Sequence, residues 1–180
     1  MSRNDWLQDH YFGIGTQYYA AARSAVINHI DIVGGLLFHY AIEMLLKGHL
    51  CLTLTDEERK KMSHRLEDEV WPAFKNMVHD PDLDRYDTVV HRIDMFWDLR
   101  YPEDLISTGI TLRIGFEPPP PDLIITPKPV KHFELVVDDV DRLVAAIFKK
   151  ASRNPVGYKL LVGTEARNYL AQWNKTDIWQ

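Results

Sequence analysis

The sequence predicts a mainly α fold, an up-and-down bundle of five to six helices with a small β-containing insertion. Three observations carry that expectation. Val33 to Leu52 places apolar residues at Val33, Leu36, Leu37, Tyr40, Ala41, Met44, Leu45, Gly48 and Leu52, a stripe at helical spacing broad enough to face several neighbours. Leu83, Tyr86, Val90, Ile93 and Trp97 advance by threes and fours, a second helix. Ile110, Leu112, Ile114 and Phe116 then alternate with Thr111, Arg113 and Gly115, the period of a strand, before the stiff EPPPP run from Glu117 to Pro121.

Taken in order, Asn4 to Tyr11 reads as a short opening turn, loosened after it by Gly13 and Gly15. Thr16 is a fair N-cap for an alanine-rich helix through Val26, whose small residues allow a neighbouring helix to come close. The central helix follows. Its other edge carries His39, Glu43 and Lys47, each one turn apart, a single polar line along the rod. Thr55 with Glu58 three residues later is a capping box for a short charged helix. Ser63 is a second N-cap candidate, with Leu66, Val70, Ala73, Phe74 and Met77 as the next stripe; Pro72 inside it kinks or divides that helix. HDPDLD around Pro81 is a loop. In the following helix Arg100 is the next member of the apolar series, and Tyr101-Pro102 ends it.

Residues from about 107 to 135 read as a β-arm inserted in the bundle, with further extended pieces at Leu123 to Thr126 and Val130 to Val136. Its prolines permit only short or edge pairing. The arm either covers its own bundle or packs across a dimer interface. Asp138 is the expected cap of a fifth helix with Val140, Leu143, Val144, Ile147 and Phe148 as its stripe. A last helix is expected from Thr164 to Trp173, with Tyr169, Leu170 and Trp173 inward. The whole, 1–180, reads as one domain.

Composition narrows the function. The apolar 46% and charged 26% are those of a globular protein, and the formal charge of −5 excludes a bulk-basic nucleic-acid binder while leaving a local basic patch open. The single cysteine, Cys51, falls in the central helix pattern and is expected to be a small buried hydrophobe, so neither a disulfide framework nor a cysteine metal site arises within the chain. No run reaches the length of a membrane span, MSRNDWLQDH has no signal-peptide core, and a cytoplasmic location without a membrane partner is expected. Neither Gly34-Gly35 nor Gly13-Ile14-Gly15 matches a phosphate-binding loop, and no GxSxG elbow is present.

Among the eight histidines, His39 stands one turn from Glu43, which is ligand spacing on a helix. No HExxH or comparable histidine pair accompanies them, so a hydrogen bond or interhelical salt bridge is expected, and no metal. Arg100, where an apolar face ends, needs a carboxylate or a cleft. Either it pairs with Glu43, or it faces an anion or phosphate.

HYAIEMLLKGHL, then SHRLEDEVW, then FWDLRYPED together resemble the HEPN domain family over about Tyr18 to Pro102. The resemblance implies an all-α bundle, usually a homodimer. Many members are metal-independent RNases of toxin or defence systems; others bind nucleotides or are inactive scaffolds. Arg100 matches the arginine of the nuclease motif, but the histidine that should follow within four to six residues is absent, the next residues being Tyr101, Pro102, Glu103, Asp104, Leu105, Ile106 and Ser107. The resemblance therefore implies first a dimeric binding or regulatory module for nucleic-acid or defence processes, lacking the standard site and needing no cofactor. Its second implication is a diverged metal-independent RNase in which Arg100 acts with Glu43 or His64. A third is a nucleotide-binding domain using Arg100 and Lys47. The expected site is thus Arg100 and His64 for chemistry, with His39, Glu43, Lys47 and Tyr101 for binding.

Overall fold

The computed structural model of the chain describes residues 2–101, 103, 109–118 and 131–180. Among them are eight α-helices and one pair of strands, a mainly α fold with a small β insertion. The helices are α1 (Arg3–Ile27), α2 (Asp31–Leu50), α3 (Asp56–Lys61), α4 (Trp71–Val78), α5 (Asp87–Met95), α6 (Val137–Lys150), α7 (Pro155–Lys159) and α8 (Thr164–Ala171).

The first helix corrects the sequence reading. It runs unbroken from Arg3, started by a capping box in which Ser2 Oγ accepts from the Asp5 N–H and Asp5 accepts from the Ser2 N–H. Thr16 caps nothing; it is buried mid-helix, its hydroxyl donating to the Phe12 carbonyl at 2.9 Å. Gly13 and Gly15 do not loosen the chain. A Cβ on Gly15 would meet Leu45 at 2.9 Å and the Ala41 carbonyl at 3.2 Å, so the glycine is where α2 approaches the backbone of α1. Close approaches of Val26 to Gly34, Gly15 to Leu45 and Phe12 to Gly48 run in opposite chain directions, making α1 and α2 an antiparallel hairpin. His29, at φ 59°, turns the link between them.

The α2 helix is central as expected, touching α1, α4, α5, α6 and β1, with Cys51 fully buried at its end. The box of Thr55 and Glu58 opens α3. Ser63 does not begin the next helix; a wide π turn, Leu66–Val70, feeds α4, and Pro72 lies in the first turn of α4, where its missing N–H leaves no vacancy. The Leu83-to-Trp97 stripe is buried throughout, but its backbone is a 3₁₀ turn (Pro81–Tyr86), α5, and a second 3₁₀ turn (Phe96–Arg100). The HDPDLD loop is largely that first turn.

Strands β1 (Ile110–Gly115) and β2 (Lys131–Val136) pair in parallel, Ile110 opposite Lys131 and Gly115 opposite Val136. They lie on α2 and α5 of their own chain, and Phe133 packs edge-on against Phe96 at 5.7 Å. The remainder of the arm, including Leu123 to Thr126, is outside the described residues. Asp138 is not the cap of α6: Val136 holds that position without a side-chain bond, and Asp138 pairs with Lys175. At the C-terminus Leu170 is buried, but Trp173 is exposed, and Trp179 fills the core instead, against Tyr19 and Phe148.

Candidate functional site

The polar line on α2 is not solvated. His39, Glu43 and Lys47 are all buried, because the chain from Ser63 through Arg100 folds over them. Each has a partner, since a buried ionisable group without one is costly. Glu43 Oε1 accepts from Lys47 Nζ at 2.7 Å and from His64 Nδ1 at 2.8 Å, and Lys47 also donates to the Ser63 carbonyl at 3.3 Å. His39 Nε2 lies 3.2 Å from Asp94 Oδ1, which accepts as well from the Leu66 N–H at 2.8 Å. The bonding expected of His39 and Glu43 is present in two forms: His39 bonds across to Asp94 of α5, and Glu43 bonds along its own helix face to Lys47 and to His64 in the turn above. Among the described residues no group of three or more His, Cys, Asp or Glu side chains is placed to hold a metal ion.

Trp97 joins the two halves. The His39 ring stacks on it at 4.8 Å between centroids, the His64 ring at 4.8 Å, and Tyr40 meets it edge-on at 5.9 Å. The Arg100 guanidinium lies over the same tryptophan, 3.1 Å from the ring centroid, and 5.2 Å from the Tyr101 ring. Arg100 Nε donates to the Trp97 carbonyl at 3.0 Å. Its expected pairing with Glu43 is corrected: that carboxylate is held by Lys47 and His64, and among the described residues no carboxylate forms an ion pair with Arg100. Four of the six predicted residues (His39, Glu43, His64 and Arg100) thus meet around Trp97 or one step from it, and a fifth, Lys47, joins through Glu43. Tyr101, the sixth, stands beside Arg100 with 61% of its surface exposed.

A chain of charges continues outward. Arg65 lies 3.7 Å from Asp94 and 2.7 Å from Asp98, and Lys131 at the start of β2 reaches Asp98 at 2.8 Å. Burial pushes the Asp94 carboxyl up, but hydrogen bonds from His39 and the Leu66 N–H, with the charge of Arg65, outweigh it and hold the group below the ordinary carboxylate range. Asp94, Arg65 and Asp98 escaped the sequence reading. Asp94 had a readable signal, since it falls four residues after Val90 and three before Trp97, on the buried face of an amphipathic helix.

A cavity of about 420 Å³ opens beside this seam, lined by Glu43, Lys47 and His64 together with Trp6, Tyr11 and Arg59. His64 is the group that links seam and solvent, with 56% of its side chain exposed while the carboxylate behind it is 1% exposed. With Nδ1–H donating to Glu43, Nε2 is left as an acceptor on a ring whose orientation is fixed twice, by the carboxylate and by Trp97. The arrangement can hold an anion through Arg100, stack a planar group on exposed aromatic rings, and accept a proton at His64. No protein-family model matches the chain, and no curated protein and no solved structure matches it. No helix among the described residues is long and apolar enough to cross a membrane.

Proposed function

We propose that this chain is a HEPN-like domain that binds single-stranded RNA around Trp97, working as a dimeric binding or regulatory module in nucleic-acid or defence biology. The observation that carries the reading is the convergence of His64 and Arg100 on one tryptophan, next to exposed Tyr101 and to a cavity with Trp6 on its wall. Trp97 itself is buried, so the rings open to a base are Tyr101 and Trp6; an arginine beside accessible rings is the chemistry of single-strand binding, in which bases stack and phosphates meet arginine. The order of the three sequence pieces supports the HEPN assignment. The acidic total of −5 and the three carboxylates Glu43, Asp94 and Asp98 within the seam predict modest affinity, with a shallow salt dependence because few phosphates are neutralised.

One observation favours a second reading, a diverged metal-independent RNase. The buried Glu43 fixes His64 as an orienting carboxylate fixes a general base. In that reaction His64 Nε2 takes the proton of a ribose 2′-hydroxyl, the oxygen attacks phosphorus, the 5′-oxygen leaves with a proton from water, and Arg100 stabilises the phosphorane charge. Lys47, buried and bonded to Glu43 and Ser63, supports the pair rather than gripping phosphate, which weakens the nucleotide-binding alternative.

One experiment separates the readings. Fluorescence anisotropy with a labelled single-stranded RNA at low salt, in EDTA, is run on the wild type, Arg100→Ala and His64→Ala, and the RNA is then sized on a gel. Binding that weakens about tenfold in Arg100→Ala, the loss of one arginine contact of about 1.4 kcal/mol, with the RNA intact, supports the module. Cleavage lost in both variants supports the RNase. Absence of both binding and cleavage in a folded wild type overturns both.

A further inference from the structure

A second cavity, about 610 Å³, lies away from the Trp97 seam, between the Pro81–Tyr86 turn with α5 and the side of α6. Its size is that of a small-molecule site. The floor is apolar, with Leu83, Val89 and Val136 buried and Ala145, Ala146 and Ile178 completing the lining. The rim is basic. Lys150 crosses it to pair with Asp80, and Arg142 pairs with Asp139 along α6 at 2.8 Å. Arg85 lies over the Tyr86 ring at 4.8 Å and donates to its hydroxyl at 2.7 Å. Among the described residues no carboxylate forms an ion pair with Arg85 or with Lys149, and both are exposed at the rim.

Those two cations belong together with the Lys150–Asp80 pair. The hydrogen bond from Lys150, the Asp82 N–H and the charges of Lys150 and Arg85 all hold the Asp80 carboxyl below the usual range, so Arg85 acts at that corner. Lys149 is the neighbour of Lys150 in α6. An apolar floor under two cations that no described carboxylate pairs accommodates a ligand with an apolar body and one anionic head. A nucleic-acid strand fits poorly, because Asp80, Asp82 and Asp139 on the same rim repel a run of phosphates.

We propose that this cavity binds an amphipathic carboxylate, its acyl or aryl body on the Leu83–Val89–Ala145 floor and its head group between Arg85 and Lys149. The site is independent of the Trp97 seam, so its failure and the failure of the RNA reading are distinct results.

The test is isothermal titration of the full chain at low salt with decanoate, and with decan-1-ol as the uncharged control. Saturable decanoate binding is expected, at least tenfold tighter than the alcohol, and weakened about tenfold or more in Arg85→Glu/Lys149→Glu. Both of those residues are exposed, so the double variant keeps its fold. Ala145→Phe, which fills the floor without changing charge, removes binding of both probes while far-UV circular dichroism is retained. No saturable binding, equal binding of the alcohol, or decanoate binding indifferent to the charge reversal overturns the proposal.

Discussion

Arg23 has a side chain with 0% exposure, near the C-terminal end of α1. Its guanidinium donates to Asp141 of α6 at 2.5 Å and to the Tyr169 and Gln172 carbonyls, and Tyr19 donates its hydroxyl to the same carboxylate. One arginine therefore ties α1, α6 and the C-terminal segment together. Removing either partner leaves the other charge buried without compensation, and Asp141→Leu or Arg23→Met is expected to cost about 3–5 kcal/mol. The pair Arg23→Met with Asp141→Leu is expected to cost less than either single change, because no charge is then stranded. Urea denaturation of the four proteins at one pH measures both statements; additive costs would show the pair uncoupled. The sequence could not announce this contact. Asp141 reads as an ordinary acidic residue near a helix start, and no periodicity links two positions separated by 118 residues. The site shows the same boundary. Glu43 and Lys47 were legible because helical spacing pairs them on one element, whereas the bond from His64 to Glu43 comes from a turn folding back over α2.

At the scale of elements, glycine decides where helices meet. Gly35 in α2 faces Phe96: a Cβ there would stand 1.9 Å from the phenyl Cδ1, so the ring must move. Phe96 is fully buried and carries the contact to Phe133 of β2, leaving it little space to yield. Gly35→Ala is expected to destabilise by about 1–3 kcal/mol, as overpacking does. Gly157 in α7 is the opposite case, with nothing within 4 Å of its added Cβ. Gly157→Ala is expected to stabilise by about 0.4–1 kcal/mol by restricting the unfolded chain. Thermal midpoints of the two variants moving in the same direction would refute this account. Glycine's two roles also explain the misread start of α1. Gly13 and Gly15 look like breakers in isolation, and only the partners Leu161 and Leu45 show that they are contact points. The 3₁₀ and π segments flanking α4 and α5 were hidden for a related reason: they bury the same side chains that a regular helix would, so the apolar series survives the change of backbone.

For the whole molecule, the mainly α class was legible because apolar periodicity is a property of each helix, while the parallel pairing of β1 with β2 depends on a crossover that no local pattern specifies. The distribution of ionisable groups leads to a prediction about the entire fold. Asp94 and Asp98 in the seam, and Asp87, where burial is outweighed by bonds from Trp71 and Lys75, all sit below the ordinary carboxylate range. Between the folded and unfolded values the unfolded chain holds more protons, so stability rises with pH there. Their contribution is complete above the unfolded value near 3.8 and is lost as pH falls through the lower folded values. His49 acts earlier. Burial against Phe74 lowers it from 6.5, so the neutral ring is favoured in the fold, and its contribution begins to fall as pH drops below about 7. At the alkaline end Tyr19 and Tyr158 are raised above 10, first by burial and then by Asp141 and Asp9 respectively, so unfolding is promoted as pH passes the unfolded phenol value. Stability from urea melts is therefore expected to peak between about pH 7 and 9, to slope gently below 7 and to fall steeply below 4. His49→Phe is expected to remove the gentle slope while leaving the steep one, and Asp94→Asn to lower the plateau and shrink the steep loss. A profile that is flat from pH 7 to 3 would mean that the Trp97 seam is not the charged, hydrogen-bonded cluster on which the RNA reading depends.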